Sequence, residues 1–329
     1  MPTIGPGPTG VRGRFAPTPS GRMHLGNVFS ALMAWLSVRS AGGTLVLRIE
    51  DLDPRAQDRT VAARLVDDLV WLGLDWDEGP FFQSERGELY DSAIARLTAA
   101  NLTYPCFCTR SELHAATAPH ASDGTYLYQG TCRNLSAAEV TRRSKRRAPA
   151  TRLRVPLAKD PAGTITWSDL VFGPQREVLA RECGDFLVRR SDGVTAYQLA
   201  VVVDDALMGV NQVVRGRDLL ESSARQIYLA RLLGFNEPCY AHVPLLVAPD
   251  ERRLSKRERD LDLGSLRARG IRAERVTGEL AAAAGLVDRG CEAAPSELVG
   301  SFSWDKLAAQ RGNIVVDERF LHRLLPLPR

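Results

Sequence analysis

Apolar residues recur along the first hundred positions with two different spacings. Residues 11–16 read as a strand. Residues 28–40 read as a helix with Phe29, Leu32, Met33 and Leu36 on one face, stopped by Gly42-Gly43. Residues 44–50 form a short β-rich run. A helix separates this run from the first strand, so it is predicted to be a second, buried parallel strand. Residues 59–72 carry Val61, Leu65, Leu69 and Leu72 at helical spacing, and residues 86–102 are helical again. This alternation predicts half of a doubly wound, parallel α/β sheet.

The pattern breaks after Leu102. Residues 104–150 hold three clustered cysteines, a Gly/Ser/Asp/His stretch and a basic run, with few apolar residues to build a core. Strand-like pieces follow at 151–155, 164–167 and 186–190, the last leading into Ser191-Asp192-Gly193, a hairpin signal. Then α/β alternation resumes, with a helix at 197–207, a strand at 212–214, a helix at 219–233 closed by Gly234, and a strand at 242–247. The remainder predicts helices at 274–284, 295–300 and 304–309. The expected organisation is a tail (1–10), the first half of a nucleotide-binding domain (11–103), an insertion (104–150), the second half (151–247), and a basic loop with a small C-terminal helical domain (248–329).

Composition narrows the class without changing this outline. At 44% hydrophobic and 25% charged, the chain has the make-up of a soluble globular protein, and no apolar run reaches membrane-spanning length. Residues 1–13 are rich in Pro, Gly and Thr and lack the apolar core of a signal peptide. The expectation is a cytoplasmic monomer with no membrane partner. The net charge of +4 implies little, but Arg142-Arg143-Ser144-Lys145-Arg146-Arg147 and Arg252-Arg253-Leu254-Ser255-Lys256-Arg257 concentrate positive charge. Such runs suit phosphates; for the first, a solvated surface serves as well. Cys106, Cys108 and Cys132 cluster, and in a reducing compartment a metal is a better reading than disulfides. Three thiolates leave a tetrahedral structural zinc site one ligand short, and His114 and His120 are the usual candidates. Cys183, Cys239 and Cys291 stand apart and are expected to be ordinary buried thiols.

The candidate chemistry centres on Arg14-Phe15-Ala16-Pro17-Thr18-Pro19-Ser20-Gly21-Arg22-Met23-His24-Leu25-Gly26-Asn27. It lies between a predicted strand and a predicted helix. Its small, stiff residues allow an anion close to the backbone, and the free N–H groups of the helix start favour a phosphate. His24 is placed to donate to that phosphate. Leu47-Arg48-Ile49-Glu50-Asp51-Leu52-Asp53 puts acids at the C-terminal end of a strand, where open α/β sheets bind ligands. Asp51 and Asp53 are expected to cap and brace the following loop.

The spacing Pro-x-x-x-x-His-x-Gly-Asn at 19–27 resembles the nucleotide-binding signature of class I aminoacyl-tRNA synthetases, and the residues before it resemble the glutamate-specific branch. Asn27 stands where the motif often has a second His. Residues 252–257 resemble that family's KMSKS loop, with Arg253 in place of its first lysine. The resemblance covers residues 14–256. Together with Arg48-Ile49-Glu50-Asp51-Leu52-Asp53-Pro54-x-Arg and the modest length, it points to the short paralogues called glutamyl-queuosine tRNA(Asp) synthetases.

The resemblance implies a Rossmann-like fold, ATP with magnesium, and glutamate activation without tRNA. The acyl group then passes to queuosine in the anticodon loop of tRNA(Asp). It implies ATP contacts at Pro17, His24, Gly26, Asn27 and Lys256, with His24 and Lys256 catalytic. Glutamate would be held by Arg14, Ala16, Thr18, Glu50, Tyr197 and Arg215. Tyr128, in Tyr128-Gln129-Gly130-Thr131-Cys132, would complete a structural zinc site with Cys106, Cys108 and Cys132. The alternatives are a glutamyl-tRNA synthetase acting on tRNA(Glu) and a non-catalytic, zinc-bearing tRNA-binding paralogue.

Overall fold

A computed structural model describes residues 10–113, 127–252 and 262–325, without the side chains of Arg110 and Leu113. In chain order the first part runs β1 (Arg12–Phe15), α1 (Leu25–Ser40), β2 (Thr44–Ile49), α2 (Arg59–Leu72), β3 (Glu78–Phe82), α3 (Gly87–Ala99) and β4 (Thr103–Cys106). Then come α4 (Arg110–Leu113), α5 (Ala137–Ser144), β5 (Ala150–Leu153), β6 (Thr164–Asp169), β7 (Gly173–Val178), α6 (Leu179–Glu182) and β8 (Phe186–Arg189). The later part is α7 (Tyr197–Leu207), β9 (Gln212–Gly216), α8 (Ser222–Leu233), β10 (Cys239–Val243) and β11 (Leu246–Val247). It ends with α9 (Leu263–Ala268), α10 (Ala273–Ala283), α11 (Pro295–Leu298), α12 (Trp304–Ala309), β12 (Ile314–Val315) and α13 (Glu318–Leu324).

Strands β1, β2 and β3 pair in parallel. Strand β10 pairs in parallel with both β9 and β6, and β7 runs antiparallel on the far side of β6. The two sheets meet at β1 and β9. There the Asn211 N–H donates to the Arg12 carbonyl at 2.9 Å, and the Arg12 N–H donates to Asn211 Oδ1 at 2.8 Å. Both faces are covered. Leu45, Leu47, Ile49, Val214 and Ala241 pack into one core with α1 and α2, while Val46, Val213 and Tyr240 pack into another with α3, α7 and α8. Alternate residues of each strand thus serve opposite layers, as a two-faced parallel sheet requires. Gly13 permits the close approach of α1, since a Cβ there would stand 2.5 Å from Val38 Cγ2.

Several elements differ from the sequence reading. The helix expected at 28 begins at Leu25, which makes His24 its N-cap. The strand expected at 242–247 is two, β10 and β11, broken at Pro244, which has no N–H for a ladder. The hairpin turn at 190–194 forms, with Arg190 N–H donating to the Val194 carbonyl at 2.9 Å, but its second arm is a single bridge, Arg189 to Thr195. Strands β3 and β4 were not predicted. Strand β4 joins β5 and β8 in an antiparallel sheet, so the segment after Cys106 leaves from a sheet that the later chain completes. The C-terminal helices share the core of α1 and α2 through Leu263, Leu280, Leu307 and Phe320. Cys183 is buried as expected, whereas Cys239 is exposed and Cys291 half-buried. Among the described residues no helix is long and apolar enough to cross a membrane.

Candidate active site

A cleft of about 430 Å³ opens at the C-terminal ends of β1, β2 and β9, where the strand order reverses between β1 and β9. This switch point is the customary ligand crevice of open α/β sheets. Arg14, Ala16, Pro17, Thr18, His24, Gly26, Asn27, Glu50, Tyr197 and Arg215 all line it. The residues expected to contact ATP and glutamate within the described chain therefore line one cleft, apart from the expected metal residues. Lys256 and Arg253 lie outside the described residues, as do His114 and His120.

The loop after β1 is pinned to β2, with the Glu50 N–H donating to the Pro17 carbonyl at 2.9 Å. Helix α1 then opens with Asn27 and Val28 both donating to the His24 carbonyl, at 2.9 and 3.1 Å. The His24 ring lies over the first turn, its Nδ1 3.4 Å from where a Gly26 Cβ would stand. His24 also bridges Asp262, the residue at which the described chain resumes. A helix start lined by small residues is a ready anion site.

The wall opposite is charged and buried. Arg14 is 5% exposed; its Nη1 donates to the Val214 carbonyl at 3.0 Å, its Nε is 3.6 Å from Asp205, and that Nε has no hydrogen-bond partner. A buried guanidinium with an unspent donor, facing a cleft, is suited to an anionic ligand. Burial lowers the Arg14 pKa, against the pull of Asp205. Burial likewise raises the Glu50 pKa, opposed by Arg48 and Arg14. Tyr197 is raised by burial as well.

Arg48, within the buried strand β2, was not predicted as part of the site. Its guanidinium meets Asp205 Oδ1 at 2.8 Å, Glu50 Oε1 at 3.3 Å and Asp204 Oδ2 at 3.6 Å. Its signal in the sequence was an arginine between Leu47 and Ile49 in a run otherwise apolar on both faces. Asp53 does cap the next turn, accepting from the Arg55 N–H at 3.0 Å, but Asp51 instead accepts from the N–H and hydroxyl of the more distant Ser84.

The clustered cysteines also converge. The Sγ atoms of Cys106, Cys108 and Cys132 lie within 4.8 Å of one another. The Tyr128 hydroxyl is 3.6 Å from Cys106 Sγ and 3.7 Å from Cys108 Sγ, and Cys108 Sγ is 3.6 Å from Cys132 Sγ. A tetrahedral ion with bonds of about 2.3 Å to sulfur places sulfurs roughly 3.7 Å apart, so these residues fit zinc. Burial alone would raise the Cys106 thiol, but Arg152, 3.2 Å away, brings it below its ordinary value. Among the described residues, Tyr104, Cys106, Phe107, Tyr128 and Cys132 form a small buried apolar cluster here, a core that a metal would supplement. Of the two basic runs, the first carries exposed Arg142, Lys145, Arg146 and Arg147 at the end of α5.

A family model for tRNA synthetases class I (E and Q), catalytic domain, matches residues 10–280. The Glutamyl-Q tRNA(Asp) synthetase of Symbiobacterium thermophilum is 50% identical over 303 residues, covering 88% of this chain and 91% of the relative. The protein of the same name from Nocardia farcinica is 46% identical over 306 residues, covering 92% and 90%. Glutamate--tRNA ligase 2 of Alkalilimnicola ehrlichii is 44% identical over 284 residues, covering 83% of this chain but 58% of the ligase. In fold the chain is similar to a crystal structure of a glutamate tRNA ligase from Elizabethkingia meningosepticum in complex with its amino acid, with a TM-score of 0.79 at 24% identity, covering 94% of this chain and 68% of that one. The resemblance drawn from the motifs is the one these relatives carry. The chain belongs to the class I tRNA synthetases of the glutamate and glutamine type.

Proposed function

We propose that the chain activates L-glutamate with ATP in the absence of tRNA and then transfers the glutamyl group to queuosine in the anticodon loop of tRNA(Asp). One observation carries the reading. Two buried guanidiniums, Arg14 and Arg215, share a cleft with a largely buried carboxylate, Glu50, and with a loop of small residues that opens a helix. Glutamate has two carboxylates and one ammonium, and this charge set complements it.

Glu50 receives the α-ammonium, whose charge offsets the burial that disfavours ionised Glu50. Arg14, Arg215 and Tyr197 hold the carboxylates, and Ala16 and Thr18 line the space between. ATP, taken as its magnesium complex, lies along Pro17, Gly26 and Asn27, with His24 on its phosphates. An oxygen of the glutamate α-carboxylate attacks the α-phosphorus in line. The bond to the bridging oxygen breaks, and pyrophosphate leaves with the developing negative charge. Lys256 takes up that charge; the segment that bears it ends at Asp262, beside His24. In the second step a hydroxyl of the queuosine ring attacks the acyl carbon, AMP leaves, and the hydroxyl proton is released.

Cys106, Cys108, Cys132 and Tyr128 would hold a structural zinc, which would cross-link β4 and the segment after residue 127. The relatives matched over nine tenths of their own length bear the glutamyl-Q name, which favours queuosine over the terminal adenosine as recipient.

Labelled glutamate offered with ATP should become attached to tRNA(Asp) bearing queuosine. It should not attach to the same tRNA lacking the modification, nor to tRNA(Glu). Charging of tRNA(Glu) in place of tRNA(Asp) would overturn the assignment of the recipient.

A further inference from the structure

Arg215 lines the cleft but is held almost entirely from behind it. Its Nε–H donates to Nε2 of His242 at 2.9 Å, and Nη1 donates to Gln226 Oε1 at 2.7 Å. Nη2 donates to the Leu219 carbonyl at 3.1 Å and to Ser223 Oγ at 2.9 Å. A guanidinium has five N–H donors. Four are used by the protein, and the second N–H of Nη1 remains for the cleft.

The partner of Nε fixes a protonation state. Arginine Nε can only donate, so His242 Nε2 must accept. The ring proton then sits on Nδ1 and is donated to Asp169 Oδ2, 2.6 Å away. Asp169 is held in turn by the backbone N–H groups of Val171 and Phe172, at 3.0 and 2.9 Å. Asp169, His242 and Arg215 thus form a relay across β6, β10 and β9. His242 and Asp169 are completely or almost completely buried. The other groups facing the imidazole are Ser223 Oγ at 3.5 Å, the stacked Tyr240 ring and the charge of Arg14. Burial pushes the imidazole pKa down to about 4, against the pull of Asp169, so the ring is neutral at pH 7.

The topology says which part of the ligand this concerns. Glu50 follows β2, Arg14 is on β1 and Arg215 is on β9, with β1 between the other two. An amino acid with its ammonium at Glu50 therefore reaches Arg215 with the far end of its side chain. We propose that Asp169 and His242 are positioning residues: the imidazole, held as the Nδ1–H tautomer by Asp169, aims the one remaining N–H of Arg215 at the side-chain carboxylate of the amino-acid substrate. This assignment rests on reading the cleft as a glutamate site. The side-chain carboxylate does not change during activation, so it is bound alike in ground and transition states, and loss of aim appears in KM and not in kcat.

Two isosteric variants separate this role from general packing. In His242→Gln the side-chain oxygen reaches Arg215 and accepts from it. In His242→Asn the shorter amide reaches Asp169 alone. In glutamate-dependent pyrophosphate exchange, His242→Gln should keep the glutamate KM within about twofold of the unaltered enzyme, while His242→Asn raises it about tenfold, with kcat and the ATP KM of both within about twofold. A glutamate KM unmoved in His242→Asn, or losses confined to kcat, would overturn the proposal. NMR of isotope-labelled histidine in the unaltered protein gives a reading that does not depend on a variant folding. His242 should be the Nδ1–H tautomer and remain neutral down to about pH 5. Titration near the ordinary value of 6.5, or an Nε2–H tautomer, would also overturn it. An unaltered enzyme with no exchange would fail the glutamate reading and leave the tautomer result to stand alone.

Discussion

Replacing Arg48 by Met should cost the protein about 3–5 kcal/mol of folding stability and lower its Tm by roughly 10 °C. The side chain is fully buried among Asp205, Glu50 and Asp204. Burial alone would ease its deprotonation, but these carboxylates overcome that and hold its pKa above the ordinary arginine value. Met keeps the apolar volume and removes the charge. Asp204 retains Arg86, Tyr90 and Gln83, whereas Asp205 and Glu50 are left facing Arg14. Uncompensated buried carboxylates are what make the loss large. The sign of its pH dependence follows. Arg48 opposes the burial that raises the Glu50 pKa, so without it that pKa rises further, protonation of Glu50 stabilises the folded variant, and the deficit shrinks as the pH falls through the raised value. Urea and thermal unfolding of the two proteins check this. A loss below about 1 kcal/mol, or one that deepens in acid, would contradict it.

Arg14→Met should lower kcat/KM for glutamate by about 10²–10³, on the order of 3–4 kcal/mol, while the KM for ATP stays within about twofold. Arg14 lines the cleft, and its buried Nε has no hydrogen-bond partner. It stands between Glu50 and Arg215, so its charge acts on both ends of the bound amino acid. Met fills the same channel and removes every donor. The loss combines charge-assisted hydrogen bonds to the ligand with a carboxylate, Glu50, that becomes harder to ionise. Exchange rates measured against glutamate and against ATP separate the two substrates. A loss of less than about threefold for glutamate would remove Arg14 from the binding site.

These residues also show how far the sequence could be read. Helices α7 and α12 have the boundaries that their apolar spacing predicts, because local periodicity decides them. The cleft was legible because its residues lie in short segments at strand ends, and the parallel sheet brings strand ends together. Strand β3 was missed because Glu78-Gly79-Pro80 has no alternation and its first residues are exposed. The break at Pro244 was available in the sequence and was overridden by the apolar run around it. Arg48 with Asp205 and His242 with Asp169 are separated by 157 and 73 residues, and only the folded sheet puts them in contact. Each pair is a buried charge or polar group satisfied from a distant element, which periodicity does not encode.

ATP–pyrophosphate exchange without any tRNA measures whether this chain alone activates glutamate. Exchange should depend on glutamate, saturate, and be absent with glutamine or aspartate. A folded protein that exchanges nothing until tRNA is added, or that exchanges equally well with glutamine, would contradict the proposed activation.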